Sequence, residues 1–144
     1  MLALLTEEQE MLKETAAQMA ASVAPANPSD LATVDRVKGW ASLAASGLLS
    51  LRTRDERAMP AASGVEVMLV AQALGEAVAP LPYAGTIVAA DLLARAGAPA
   101  AWLDELGAGD TRYGLLLSPD LVALADVTQA GGAVGFDVDG ASYA

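Results

Sequence analysis

Three places in this 144-residue chain bring acidic side chains into arrangements that could do chemistry. Glu7, Glu8 and Glu10 crowd one predicted helix start, Asp91 stands four residues before Arg95, and Asp137 and Asp139 flank a turn. Neighbouring carboxylates can divide general acid and base work, one giving a proton while the other takes it. Each group has a plainer account. Acids in a first helical turn answer the positive end of the helix dipole, an Asp and Arg at i, i+4 form a modest surface pair, and aspartates favour turns because their side chains bond nearby backbone. The chain has no histidine and no cysteine. That removes the commonest general base and metal ligand, every thiolate and every disulfide, so zinc, cysteine and Ser-His-Asp mechanisms are excluded for this chain alone. No catalytic residue and no metal ligand is assigned.

The remaining chemical signals are weak. Gly131, Gly132 and Gly135 lack the strand-then-helix context of a dinucleotide fingerprint. Met11, Met19, Met59 and Met68 are scattered, which is how methionines fill gaps in a core. Trp40 and Trp102 are expected to anchor helix packing rather than cover a ligand.

The composition narrows the classes further. At 144 residues the chain is one domain's worth and long enough to bury a core. Hydrophobic residues make up 54 % but aromatics only 4 %, so Ala, Leu and Val must build that core, which favours close-packed helices. A net charge of −10 repels phosphate backbones and argues against nucleic-acid binding. The start, MLALLTEEQE, has no basic region before its apolar run and is not a secretory signal. No uncharged run reaches the roughly 20 residues that cross a membrane. The expected compartment is cytoplasmic.

The elements follow from capping and periodicity. Thr6 to Gln9 reads as a capping box opening a helix whose buried stripe is Leu12, Ala16, Met19, Ala20 and Val23, ended by Pro25. Residues 26–33 read as a loop offering Asp30 and Thr33 as caps for a helix over 34–46. In that helix Val34, Val37, Ala41 and Ala44 form the expected buried stripe, with Trp40 at its edge and Gly47 as a left-handed cap. Residues 48–51 make an apolar plug, and 52–63 a solvated loop without an assignable site. A second capping box, Ser63 to Glu66, opens a helix with Val67, Val70, Ala71, Leu74 and Val78 on one face. Pro80 and Pro82 break it. A further helix restarts at Tyr83, carrying small residues at Ala84, Gly85, Ala89 and Ala90 that suit either a tight helix contact or the wall of an apolar pocket. Pro99 begins a short helix with Trp102, Leu103 and Leu106, which the glycines at 107 and 109 end. Runs at 113–117, 121–127 and 133–138 read as strands. The Asp-Gly turn at 139–140 leaves its last strand little room for a partner, so a truncated parent or completion by another chain is expected.

The order LTEEQEMLKETAAQMAA, WASLAASGLL, VMLVAQALGEAVAPLPYAGTIVAADLLARAG, WLDELGAGDTRYGLLLSPD resembles the N-terminal part of flavin-dependent acyl-CoA dehydrogenases over nearly all of residues 4–120. The specific segments are Thr-Glu-Glu-Gln, Leu-Ala-Ala-Ser-Gly-Leu-Leu, Leu-Gly-Glu-Ala and Leu-Gly-Ala-Gly-Asp. The Ala-Pro-Leu-Pro-Tyr variant looks like the divergent actinobacterial branch, whose subunits often pair with a second, different one and take sterol or other bulky acyl-CoA substrates.

The resemblance implies a mainly α fold. Residues 1–112 would be the helical N-terminal domain and 113–144 the first strands of an incomplete β middle domain. It places Tyr83, Thr86, Ile87 and Ala90 on the segment that walls the acyl-chain pocket, and Ser118 beside the flavin of FAD, with Pro119 and Asp120 in place of the usual Glu-Pro. The implied partners are an acyl-CoA and another dehydrogenase subunit in a homo- or hetero-oligomer. Three parts of the family pattern are missing: a Tyr-Gly-Gly loop, replaced by RTRDERAMPAAS, a Gly-Ser-Asp flavin motif, and the catalytic glutamate of a C-terminal helical domain. The chain alone is therefore expected to be inactive, serving as an N-terminal fragment or subunit of such an enzyme. The alternative is a non-catalytic helical interaction module derived from the family.

Overall fold

The computed structural model describes residues 4–53 and 60–113. Every element in them is helical: α1 (Glu7–Ser22), α2 (Arg36–Ala45), α3 (Gly64–Glu76), α4 (Tyr83–Arg95) and α5 (Ala100–Ala108), with 3₁₀ turns at Pro28–Thr33 and Leu48–Ser50. The expected strands, the 139–140 turn and Ser118 lie outside the described residues.

Helix starts form where a side chain satisfies free amides. Thr6 accepts the Gln9 amide at 3.2 Å while the Gln9 side chain accepts the Thr6 amide at 3.1 Å, the expected reciprocal box. The second box closes differently. The Ser63 hydroxyl accepts the Val65 amide at 3.1 Å and donates to the Glu66 carboxylate, which also receives Gln9 Nε2 at 2.8 Å. The first turns of α1 and α3 are thereby joined, and these two helices make the most extensive pairing in the fold.

Two expectations around α2 fail. Residues 28–33 are a 3₁₀ turn rather than a loop, and Asp35, not Asp30 or Thr33, caps α2 by accepting the Lys38 amide at 2.9 Å. The buried face of α2 is Gly39, Trp40 and Leu43, whereas Val37 is 75 % exposed. Trp40 brings far more apolar area than a valine, and its indole N–H finds the Gly109 carbonyl at 2.8 Å, so burying the tryptophan sets the rotation of the helix. Gly39 makes the seat close: a Cβ there would lie 3.0 Å from Leu81 and 3.1 Å from Val23.

Three helix ends, those of α3, α4 and α5, share one device. α4 closes on Gly97, whose amide donates to Ala94 while the next amide donates to Leu93 at 3.0 Å, and Gly109 closes α5 in the same way. Gly47, Gly97 and Gly109 all adopt left-handed backbone, as this cap requires. α3 makes the same two bonds, from the Val78 amide to Gly75 at 3.0 Å and from Ala79 to Leu74 at 2.9 Å, with a valine at φ 53° in the glycine position. A β-branched residue in that region carries about 1–2 kcal/mol of strain. Val78 was expected on the buried face but is 61 % exposed, because the left-handed turn carries it off the helix surface.

After Val78 the chain turns a corner on two tight γ-turns, Leu81 N–H to Ala79 and Tyr83 N–H to Leu81, both at 2.8 Å and each centred on a proline. α4 then starts with no side-chain cap. α5 runs through Gly107 to Ala108, two residues further than the first of its glycines suggests, and Gly109 caps it. Gly107 lies against the Leu48–Ser50 turn, where an added Cβ would meet Ser50 Oγ at 2.5 Å. Trp102, expected to anchor α5, is 47 % exposed.

Candidate functional site

Spacings of three, one and three residues put Tyr83, Thr86, Ile87 and Ala90 on one face of α4. That face points inward: their exposures are 1, 1, 2 and 0 %. Tyr83, Ile87 and Ala90 join the main core with Leu43, Leu49 and Leu106. Of the small residues on α4, Ala89 and Ala90 are buried while Ala84 and Gly85 face outward.

Two hydroxyls lie within this apolar face. Thr86 turns its hydroxyl back along the helix and donates to the Pro82 carbonyl at 2.9 Å, which satisfies it locally. The Tyr83 hydroxyl is buried with no hydrogen-bond partner among the described residues. Burial without a compensating charge pushes the Tyr83 phenol far above its ordinary pKa, so it stays neutral and does not act as a base.

One turn further along α4 is an ionic cluster of which reading the chain locally gives the Asp91–Arg95 pair but not Arg52. Arg52 donates to Asp91 Oδ1 from Nε at 3.1 Å and from Nη2 at 2.6 Å, and from Nη1 to the Ala62 carbonyl at 2.7 Å. Arg95 donates to the other Asp91 oxygen at 2.7 Å. Partial burial pushes Asp91's pKa upward, but the bonds from Arg95 and Arg52 outweigh it and leave it lowered. A carboxylate held between two guanidiniums is a poor proton acceptor. With Arg52 it ties α4 to the residues on either side of 54–59, which two backbone bonds also join, Ala61 to Thr53 at 3.2 Å and Ala62 to Leu51 at 2.9 Å. Of the segment read as a solvated loop without a site, Arg52 is thus a partly buried tie. Its only sequence signal is an arginine directly after an apolar run.

The other candidates separate. Glu7, Glu8 and Glu10 lie exposed on the first turn of α1. Arg112 stacks over the Trp40 ring at 4.9 Å from its centroid, a cation–π contact. An open groove of about 340 Å³ sits at the junction of α1 and α2, between Val23, Pro25, Thr33 and Lys38, and touches none of the α4 residues. Among the described residues no three potential ligands gather around a metal position, and no helix is long and apolar enough to cross a membrane.

Trp40 spends its N–H on Gly109 and its ring on Arg112, and the two hydroxyl-bearing residues of α4, Tyr83 and Thr86, are both buried. Compared with known proteins, the chain matches no family model, no curated protein and no solved structure. The class defined by the fold is accordingly a mainly α protein.

Proposed function

We propose that this chain is an N-terminal fragment or subunit of an FAD-dependent acyl-CoA dehydrogenase, acting in the cytoplasm on a fatty or sterol-derived acyl-CoA. It supplies pocket wall and subunit contacts, while the base and most of the flavin site come from elsewhere. The observation that carries this reading is the gathering of Tyr83, Thr86, Ile87 and Ala90 on one apolar face of α4, the position at which the family resemblance puts the acyl-chain wall. The family's reaction removes an α-proton and passes a β-hydride to flavin. No described residue is poised for the first step, so the chain's own part is shape: an apolar surface that excludes water from an aliphatic tail.

A second reading, a non-catalytic helical interaction module, draws on a specific observation. The four residues are 0–2 % exposed within this chain alone, as a purely structural core would be.

Co-expression with a dehydrogenase subunit separates the two. The first reading expects a complex with oxidised-flavin absorbance in which Ala90→Trp weakens long or sterol acyl-CoA binding and spares short chains. Equal loss for all chain lengths assigns Ala90 to packing, and a colourless mixture removes the flavoenzyme role.

A further inference from the structure

We propose that Val78 is a loaded joint about which the first half of α4 parts from the core before any other buried face does. The corner carries two local costs. Val78 takes the left-handed position that glycine occupies at Gly47, Gly97 and Gly109, and with 61 % of its surface exposed it gains little burial in return. Five residues on, the Tyr83 hydroxyl is buried without a partner. Parting of α4 relieves both at once: Val78 relaxes toward ordinary backbone and the hydroxyl meets water.

The geometry says which residues move. Pro80 and Pro82 fix their own φ, so the torsions of Val78, Ala79 and Leu81 absorb the change. The start of α4 has no side-chain cap to lose, and Thr86 bonds within its own helix. The second half of α4 is tied by Asp91 to Arg52, so the turns from Tyr83 to Ala90 are the ones that open. Their inner face then becomes reachable, which the closed state does not allow. This inference stands on the fold and not on the acyl-CoA reading, so its failure leaves that reading intact.

The cysteine-free sequence permits a matched test in the full chain. Ala90 and Ala16 are both 0 % exposed, and Ala90→Cys and Ala16→Cys introduce the same single thiol at each place. In native buffer a thiol reagent is expected to label the α4 site at least about ten-fold faster than the α1 site. Adding Val78→Gly to the α4 variant slows its labelling by about ten-fold, the factor that about 1.4 kcal/mol represents. Equal labelling at the two sites, or an unchanged or faster rate with Val78→Gly, overturns the proposal. Hydrogen exchange on the unaltered chain provides a reading free of cysteine packing: the amides of 87–90 should exchange ahead of those of 16–20, and exchange together or later overturns it.

Discussion

Tyr83 and Trp40 are both buried aromatics, and they treat their polar atoms in opposite ways. The indole N–H of Trp40 reaches the Gly109 carbonyl at 2.8 Å, while the Tyr83 hydroxyl reaches nothing. A buried polar atom without a partner costs about 1–3 kcal/mol, and removing it recovers part of that. Tyr83→Phe is therefore expected to raise stability by about 1 kcal/mol, read as a higher urea midpoint at unchanged slope. A lower midpoint would mean that the hydroxyl has a partner. Trp40→Phe goes the other way, with a loss of about 2 kcal/mol, because it orphans the Gly109 carbonyl and trims a packed ring. Neither sign is legible from residue type. Burial of Tyr83 follows from its place on an apolar helix face, but whether its hydroxyl finds a partner depends on atoms from other helices.

Helix boundaries were the most readable feature at the scale of elements, because caps are local chemistry. Thr6 and Ser63 start α1 and α3 as their hydroxyls predict, and the proline corner separates α3 from α4. Rotation was less readable. Val37 with Ala41 and Trp40 with Leu43 both make helical stripes, and only the partner surface of Val23, Leu81 and Gly109 selects the second. Ties between elements were hidden by sequence distance, since Arg52 and Asp91 lie 39 positions apart. Arg52→Ala should cost about 1–2 kcal/mol by freeing Asp91 and the Ala62 carbonyl, and limited proteolysis should then cut within 53–61 faster than in the parent chain. The tie between α1 and α3 has a pH signature. Bonds from the Ser63 hydroxyl, then Gln9, hold Glu66 down at about 2 against an ordinary 4.5. A depressed carboxylate stabilises the fold above its unfolded pKa and loses that contribution as pH falls through the folded one. Stability of the parent should thus drop between about pH 4.5 and pH 2 by more than that of Glu66→Gln, and parallel acid unfolding curves would remove Glu66 from that role.

Across the whole molecule, the mainly helical build was legible because an Ala- and Leu-rich, aromatic-poor composition leaves helices as the way to close a core. The candidate site was legible only in part. The resemblance picked out four residues that do share a face, yet their enclosure by α3, α5 and the Leu48–Ser50 turn belongs to tertiary packing. The longest hydrogen bond in that packing among the described residues, Trp40 to Gly109, spans 69 positions. It sets an order on biosynthesis. The tryptophan leaves the ribosome well before the carbonyl that completes it, and at about 5–20 residues per second the gap lasts several seconds. Throughout that interval the surfaces of α2, α4 and the Leu48–Ser50 turn that α5 will cover stay open to water. Until α5 emerges, a nascent chain of this design exposes apolar surface that its finished fold buries.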